Sequence, residues 1–184
     1  MTKTALVPIA DGTEELEAVT IIDVLRRAGV DVTVASVKSQ QVTASRGVKI
    51  TADCLIGECA GKTFDLIALP GGLPGAEHLR DSKPLIELLK EQKSAGRLYA
   101  AICASPATVF AHHGLVDDRE TTCYPSLAQK LPKPTPGRVV VDDNCITSQG
   151  PGTAIEFALE LVKNLCGSQK AEEVARAMVV EDGN

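Results

Sequence analysis

Short runs dominated by apolar side chains alternate with longer stretches whose apolar residues recur every three or four positions. Residues 5–9, 64–69 and 98–102 are of the first kind, the pattern of strands buried on both faces. Residues 30–37 alternate Val with Asp, Thr, Ala and Ser and read as another strand. Pro8 is out of place in the first run, because it cannot donate to a ladder. Helical spacing begins with residues 14–28, where Ile21, Val24 and Ala28 form an apolar stripe ahead of Gly29. It returns in residues 83–94 and 105–112, each with a proline in the first turn (Pro84, Pro106). Gly150-Pro151-Gly152-Thr153 opens a helix that runs to Cys166, and residues 169–178 form the last one. Asp11 with Glu14, and Thr153 with Glu156, have capping-box spacing, with Thr13 as the other candidate cap of the first helix.

Residues 41–43 and 48–50 make a small hairpin-like excursion around Gly47, and 139–141 and 145–147 are strands around an Asp142-Asp143-Asn144 turn. Strand and helix therefore alternate along most of the chain. This predicts an α/β fold: a doubly wound, mostly parallel sheet with helices on both faces. The proline-rich residues 131–137 read as a stiff surface loop, so residues 1–184 form one domain.

Composition agrees with this picture. Only 3% of residues are aromatic and Trp is absent, so Val, Ile, Leu and Ala build the core. The net charge of −5 without a basic run argues against nucleic acid as a main ligand. No apolar stretch is long enough to span a bilayer, and a strand-like run follows the first four residues with no leader pattern. Six cysteines without a CxxC pair read as free thiols of a reducing, cytoplasmic setting. A disulfide framework is the other arrangement they allow. No His stands at zinc-ligand spacing from a cysteine pair, so no metal is expected.

The candidate chemistry lies where strands end. Cys103 closes the run 98–102, and a helix begins two residues later. It is either a buried thiol ending a core strand or a thiol at a helix N-terminus, where N–H groups favour the thiolate. Gly71 and Gly72 follow the strand 64–69 and either form a plain turn or bring backbone N–H groups to an anion. Glu17 heads the stripe of the first helix. Periodicity places it at the solvated margin; partial burial with a raised carboxyl pKa is the alternative. His112 and His113 suit the last turn of their helix. Arg46, in a loop, reads as a solvated charge. In a doubly wound sheet, ligands bind beyond the carboxyl ends of the strands. Glu17, Gly71, Gly72, Cys103 and Gly150 all follow strands, and this convergence makes Cys103 a reactive thiol.

Four segments carry a resemblance. Asp11-Gly12-Thr13-Glu14-Glu15-Leu16-Glu17, Leu69-Pro70-Gly71-Gly72, Ala100-Ala101-Ile102-Cys103-Ala104 and Thr147-Ser148-Gln149-Gly150-Pro151-Gly152-Thr153 resemble the ThiJ/PfpI superfamily. Within it they are most similar to the parkinsonism-associated deglycase branch that also holds bacterial YajL-type proteins. The resemblance implies a flavodoxin-like homodimer. It implies a Cys103 nucleophile on a strained elbow, a protonated Glu17 beside it, oxyanion N–H groups at Gly71 and Gly72, and Arg46 near the site at the dimer contact. Members act on glyoxal, methylglyoxal or their early adducts with amino, guanidino and thiol groups. They are also described as oxidative-stress chaperones whose cysteine becomes a sulfinate.

Two positions depart from relatives. Tyr124 precedes Pro125 where some members carry His, and Ala104 follows Cys103 where protease-like members carry His. Neither a phenol nor an unactivated thiol such as Cys123 is a base near pH 7, so acid–base work moves to Glu17 and peptidase chemistry is disfavoured. The expected reaction is addition of a low-pKa Cys103 thiolate to an α-oxoaldehyde. The oxyanion would lie on N–H groups near Gly72 and Ala104, with Glu17 shuttling a proton and no cofactor needed. The alternative is a redox-sensing holdase that uses the same residues.

Overall fold

A computed structural model describes residues 2–180. The strands are β1 (Thr4–Ile9), β2 (Asp31–Ser36), β3 (Gln41–Thr43), β4 (Lys49–Thr51), β5 (Cys54–Leu55), β6 (Leu66–Leu69), β7 (Leu98–Ile102), β8 (Val139–Asp142) and β9 (Cys145–Ser148). The helices are α1 (Glu15–Arg27), α2 (Gly75–Arg80), α3 (Lys83–Ser94), α4 (Ala154–Cys166) and α5 (Ser168–Ala177). Seven strands form one sheet in the order β5-β2-β1-β6-β7-β9-β8, parallel except for the β8–β9 hairpin. β3 and β4 form a separate antiparallel pair, the expected excursion. This is the flavodoxin-like α/β fold.

Two cores explain the unbroken apolar runs. Ala5, Val7 and Ile9 of β1 face α1, α4 and α5 in one core, while Leu6 joins α3 in the other. β7 divides likewise: Ala100 and Ile102 go to the first core, Tyr99 and Ala101 to the second. A period of two with both faces covered leaves no polar position. Tyr99 satisfies its buried hydroxyl by donating to the Leu115 carbonyl at 3.0 Å. Pro8 is tolerated because the ladder to β6 pairs only Ala5 and Leu6 and ends before it.

Several local expectations change. Glu14 is the N-cap of α1, its Oε2 accepting from the Glu17 N–H at 2.8 Å. Thr13 instead accepts from Ala10 N–H (2.9 Å), and the Asp11 carboxylate accepts from Thr43 N–H (2.8 Å), tying the excursion to the β1–α1 loop. Thr153 does not cap α4; its hydroxyl is taken by Ser148 and Gly150, and Glu156 pairs with Arg138 at 2.7 Å. The segment after Cys103 is a single π-helical turn, Pro106–Ala111, in place of a helix over 105–112. α2 has no counterpart in the periodicity, being only six residues long behind Pro74.

α2 begins against the β1–α1 loop. A Cβ on Gly75 would lie 2.4 Å from Thr13 N and 2.6 Å from Gly12 C. Gly75→Ala should therefore lower stability by about 2–3 kcal/mol, as overpacking against backbone does. Guanidinium unfolding checks this against Gly152→Ala, where a Cβ meets nothing within 4 Å.

Candidate active site

Cys103 sits at the carboxyl end of β7 with φ +64°, a left-handed conformation that a non-glycine residue adopts only when its surroundings enforce it. Neighbouring backbone provides that constraint. The Cys103 N–H donates to Ser148 O (3.0 Å) and the Cys103 carbonyl accepts from Tyr124 N–H (2.8 Å). Ser105, fully buried, donates to the Pro70 carbonyl at 2.6 Å and holds the loop after β6 beside the elbow. Sequence patterns suggest Ser105 only as the start of a helix; its clamping role depends on a partner 35 residues away.

Glu17 is fully buried, against the expectation from periodicity. The residues at its helical spacings do form an apolar stripe, but the loop of residues 70–72 and the elbow close over the head of it. Gly71 N–H donates to Glu17 Oε2 at 2.7 Å, whereas Oε1 is buried without a well-formed hydrogen bond. Burial pushes the Glu17 carboxyl up to about 7, with the Gly71 N–H and the Cys103 thiol opposing the rise.

Burial acts on the thiol as it does on the carboxyl. Burial, then the charge of Glu17, pushes Cys103 up to about 12, while the N–H groups of Gly72 and Ala104 act on the sulfur in the opposite direction. A single π-helical turn supplies little dipole to offset this. Thiol and carboxyl thus form one pair whose proton affinities are set together by burial and by each other.

Gly71 has a reason that its sequence context does not reveal. A Cβ there would lie 2.6 Å from Cys103 Cβ and 2.9 Å from Glu17 Oε2. Its N–H is engaged by Glu17, whereas Gly72 and Ala104 present their N–H groups to the sulfur.

An opening of about 440 Å³ reaches Cys103, lined also by Glu14, Arg46, Gly72, Ala104 and Tyr124. Glu15 holds the Arg46 loop there, accepting from Arg46 N–H (2.8 Å) and the Ser45 hydroxyl (2.8 Å). Gly150 does not line this opening; Pro151 beside it does. The Cys123 thiol is buried and pushed up to about 11 by that burial. The His113 ring contacts the Arg80 carbonyl at 2.8 Å, and His112 lines a neighbouring cavity. Among the described residues no group of three or more His, Cys, Asp or Glu is placed to hold a metal ion. No helix among them is long and apolar enough to cross a membrane.

A cysteine on a left-handed elbow at the carboxyl edge of a flavodoxin-like sheet, facing a buried glutamate, defines an α/β class built around one thiol–carboxyl pair. The chain belongs to the DJ-1/PfpI family, whose model matches residues 3–164. It is 49% identical over 183 residues to Protein DJ-1 homolog B of Arabidopsis thaliana. That match covers 97% of this chain and 42% of the plant protein, so the chain spans less than half the length of that relative. It is 39% identical over 177 residues to the glutathione-independent glyoxalase DJR-1.2 of Caenorhabditis elegans, covering 94% of this chain and 93% of that protein. The solved structure of oxidized Toxoplasma gondii DJ-1 superposes with a TM-score of 0.97 at 46% identity, covering 98% of this chain and 100% of that one.

Proposed function

We propose that the protein is a cofactor-independent glyoxalase and deglycase, converting methylglyoxal, glyoxal or their early adducts to 2-hydroxy acids. The observation that carries this reading is the buried Glu17 carboxyl against the Cys103 thiol, with Oε1 in no well-formed hydrogen bond. A carboxyl near pKa 7 facing the thiol is matched to moving a proton at neutral pH. Ionised Glu17 takes the Cys103 proton as sulfur adds to the aldehyde carbon, then delivers it to the aldehyde oxygen, leaving a hemithioacetal. The N–H groups of Gly72 and Ala104 steady the developing charge. Glu17 next removes the proton from the former aldehyde carbon and returns one to the neighbouring carbon, while the hydroxyl proton on the former aldehyde carbon passes to the neighbouring oxygen. The product is a thioester of the 2-hydroxy acid, which water hydrolyses to release acid and thiol. Adducts of amines or thiols with the aldehyde enter by displacement of the amine or thiol at the same carbon.

In this reading Glu17 activates the Cys103 thiol as a general base during addition, alongside the preformed thiolate expected from the elbow. Arg46 at the rim suits the oxygen-rich product and adducts with acidic neighbours. Leu16 and Val19 of α1 and Val48 of the excursion are each 50% exposed, and the Val48 N–H shares the Glu15 carboxylate with Arg46, which supports a homodimer through this region. The six free cysteines support a reducing compartment such as the cytoplasm.

The test is lactate formation from methylglyoxal without added thiol. Wild type should turn over, and Cys103→Ala should show no lactate above the uncatalysed rate. Full activity in Cys103→Ala overturns the reading.

A further inference from the structure

We propose that Cys54 and Cys59 form a second redox site, a dithiol that reduces hydroperoxides and closes to a disulfide independently of Cys103. Their sulfurs are 3.7 Å apart, in contact as a reduced pair. Closure to the disulfide length of about 2.05 Å needs a movement of under ~2 Å. The local backbone can supply it. β5 is an edge strand of two residues, held to β2 at Ala35 and Ser36, and Cys59 ends a single 3₁₀ turn, Ile56–Cys59. Short 3₁₀ segments are weakly held.

The two thiols have different access. Cys54 is part-exposed, whereas Cys59 is fully buried behind it. Hydroperoxide therefore meets Cys54 first. The Cys54 sulfur attacks one peroxide oxygen, the O–O bond breaks, and the other oxygen leaves as water or alcohol with the thiol proton. The Cys59 sulfur then attacks the Cys54 sulfenic acid. The S–S bond forms, and the hydroxyl leaves as water with the Cys59 proton. One dithiol is oxidised by two electrons and one hydroperoxide is reduced by two.

Cys59 is the resolving thiol within reach. Cys54 and Cys59 pack in the core on the α3 face of the sheet, whereas Cys103 packs on the opposite face. Cys145 shares the α3-face core but lies five strands along the sheet on β9, roughly 24 Å away at the usual strand spacing. Cys166 ends α4 on the other face, and Cys123 packs in a separate cluster. Among the described residues Cys103 has no sulfur partner of this kind. Its oxidation runs on to the acids, whereas the Cys54–Cys59 pair has a reversible end point.

Lys49 and Lys62 flank the pair, so trypsin releases both cysteines in one peptide, residues 50–62. The full chain is treated with equimolar hydrogen peroxide, free thiols are blocked, and this peptide is weighed without reduction. The expected result is loss of two hydrogens, reversed by dithiothreitol, with peroxide consumed in step. The loss should persist in Cys103→Ala and vanish in both Cys59→Ser and Cys54→Ser. In Cys59→Ser, Cys54 should gain oxygen instead. Should Cys59→Ser not fold, the part-exposed Cys54→Ser still decides the matter. A wild-type peptide that gains oxygen without losing hydrogens overturns the proposal. So does a peptide left unchanged while Cys103 is fully oxidised, or a loss of hydrogens that disappears in Cys103→Ala.

Discussion

Glu17→Gln should slow lactate formation by at least ~10²-fold while making the folded protein more stable above neutral pH. The wild-type carboxyl is pushed from its ordinary value of 4.5 up to about 7, chiefly by burial. The folded state therefore binds a proton more tightly than the unfolded one. Glu17's contribution to stability is fully present below pH 4.5, falls as pH rises from there, and is gone above pH 7. The difference of about 2.5 units corresponds to a loss of about 3 kcal/mol between those limits. Glutamine keeps an acceptor for the Gly71 N–H and presents an amide to the sulfur, but it never ionises. Its folding free energy should show no such loss, and at pH 8 the variant should exceed wild type by up to about 3 kcal/mol. Guanidinium unfolding at pH 5 and pH 8 measures this. Alkylation of Cys103 should rise through an inflection near pH 7 in wild type and lose that inflection in the variant. An identical inflection in both proteins would remove Glu17 as the base.

Gly71→Ala should damage the site and the fold together. Gly71 has no positive φ, so its backbone accepts alanine without strain. The added methyl group alone is at fault. It would approach Cys103 Cβ to 2.6 Å, Glu17 Oε2 to 2.9 Å and Ala104 N to 3.0 Å. None of these neighbours has room to give. Cys103 is fixed in its left-handed conformation by hydrogen bonds on both sides, and the Oε2 atom is held by Gly71 itself. Overpacking of this kind lowers stability by about 1–3 kcal/mol. A displacement of ~1 Å at the reacting atoms lowers turnover by about 10²-fold. Unfolding curves and lactate assays check the two effects. Wild-type turnover in a stable Gly71→Ala protein would show that the thiol and carboxyl need not be held in contact.

The fold was legible in the sequence because burial on both faces leaves its mark in every strand. Runs such as Leu66–Leu69 have nowhere to place a polar residue, and the helices between them carry one apolar stripe each. Elements too short to show a period were not legible: α2, with six residues, and the π-helical turn after the elbow. Caps were misread for a related reason. Asp11, Thr13 and Thr153 are good capping residues by type, but each finds a partner outside its helix terminus.

The site divides along the same line. The sequence by itself determined that a cysteine ends a central strand, that glycines follow another, and that the matching ends gather at one sheet edge. It also carried the family resemblance that paired Cys103 with Glu17. Only the tertiary structure decided how protons are held there. The pKa of Glu17 depends on burial, which raises it, and on the Gly71 N–H, 54 residues away, and the Cys103 thiol, which oppose the rise, and no helical period records what closes over a stripe. The same holds for Gly71, whose missing side chain makes room for two others, and for Cys54 and Cys59, whose sulfur contact depends on the turn between them. Burial and charge act through space, so sequence spacing could name the groups while the fold set their chemistry.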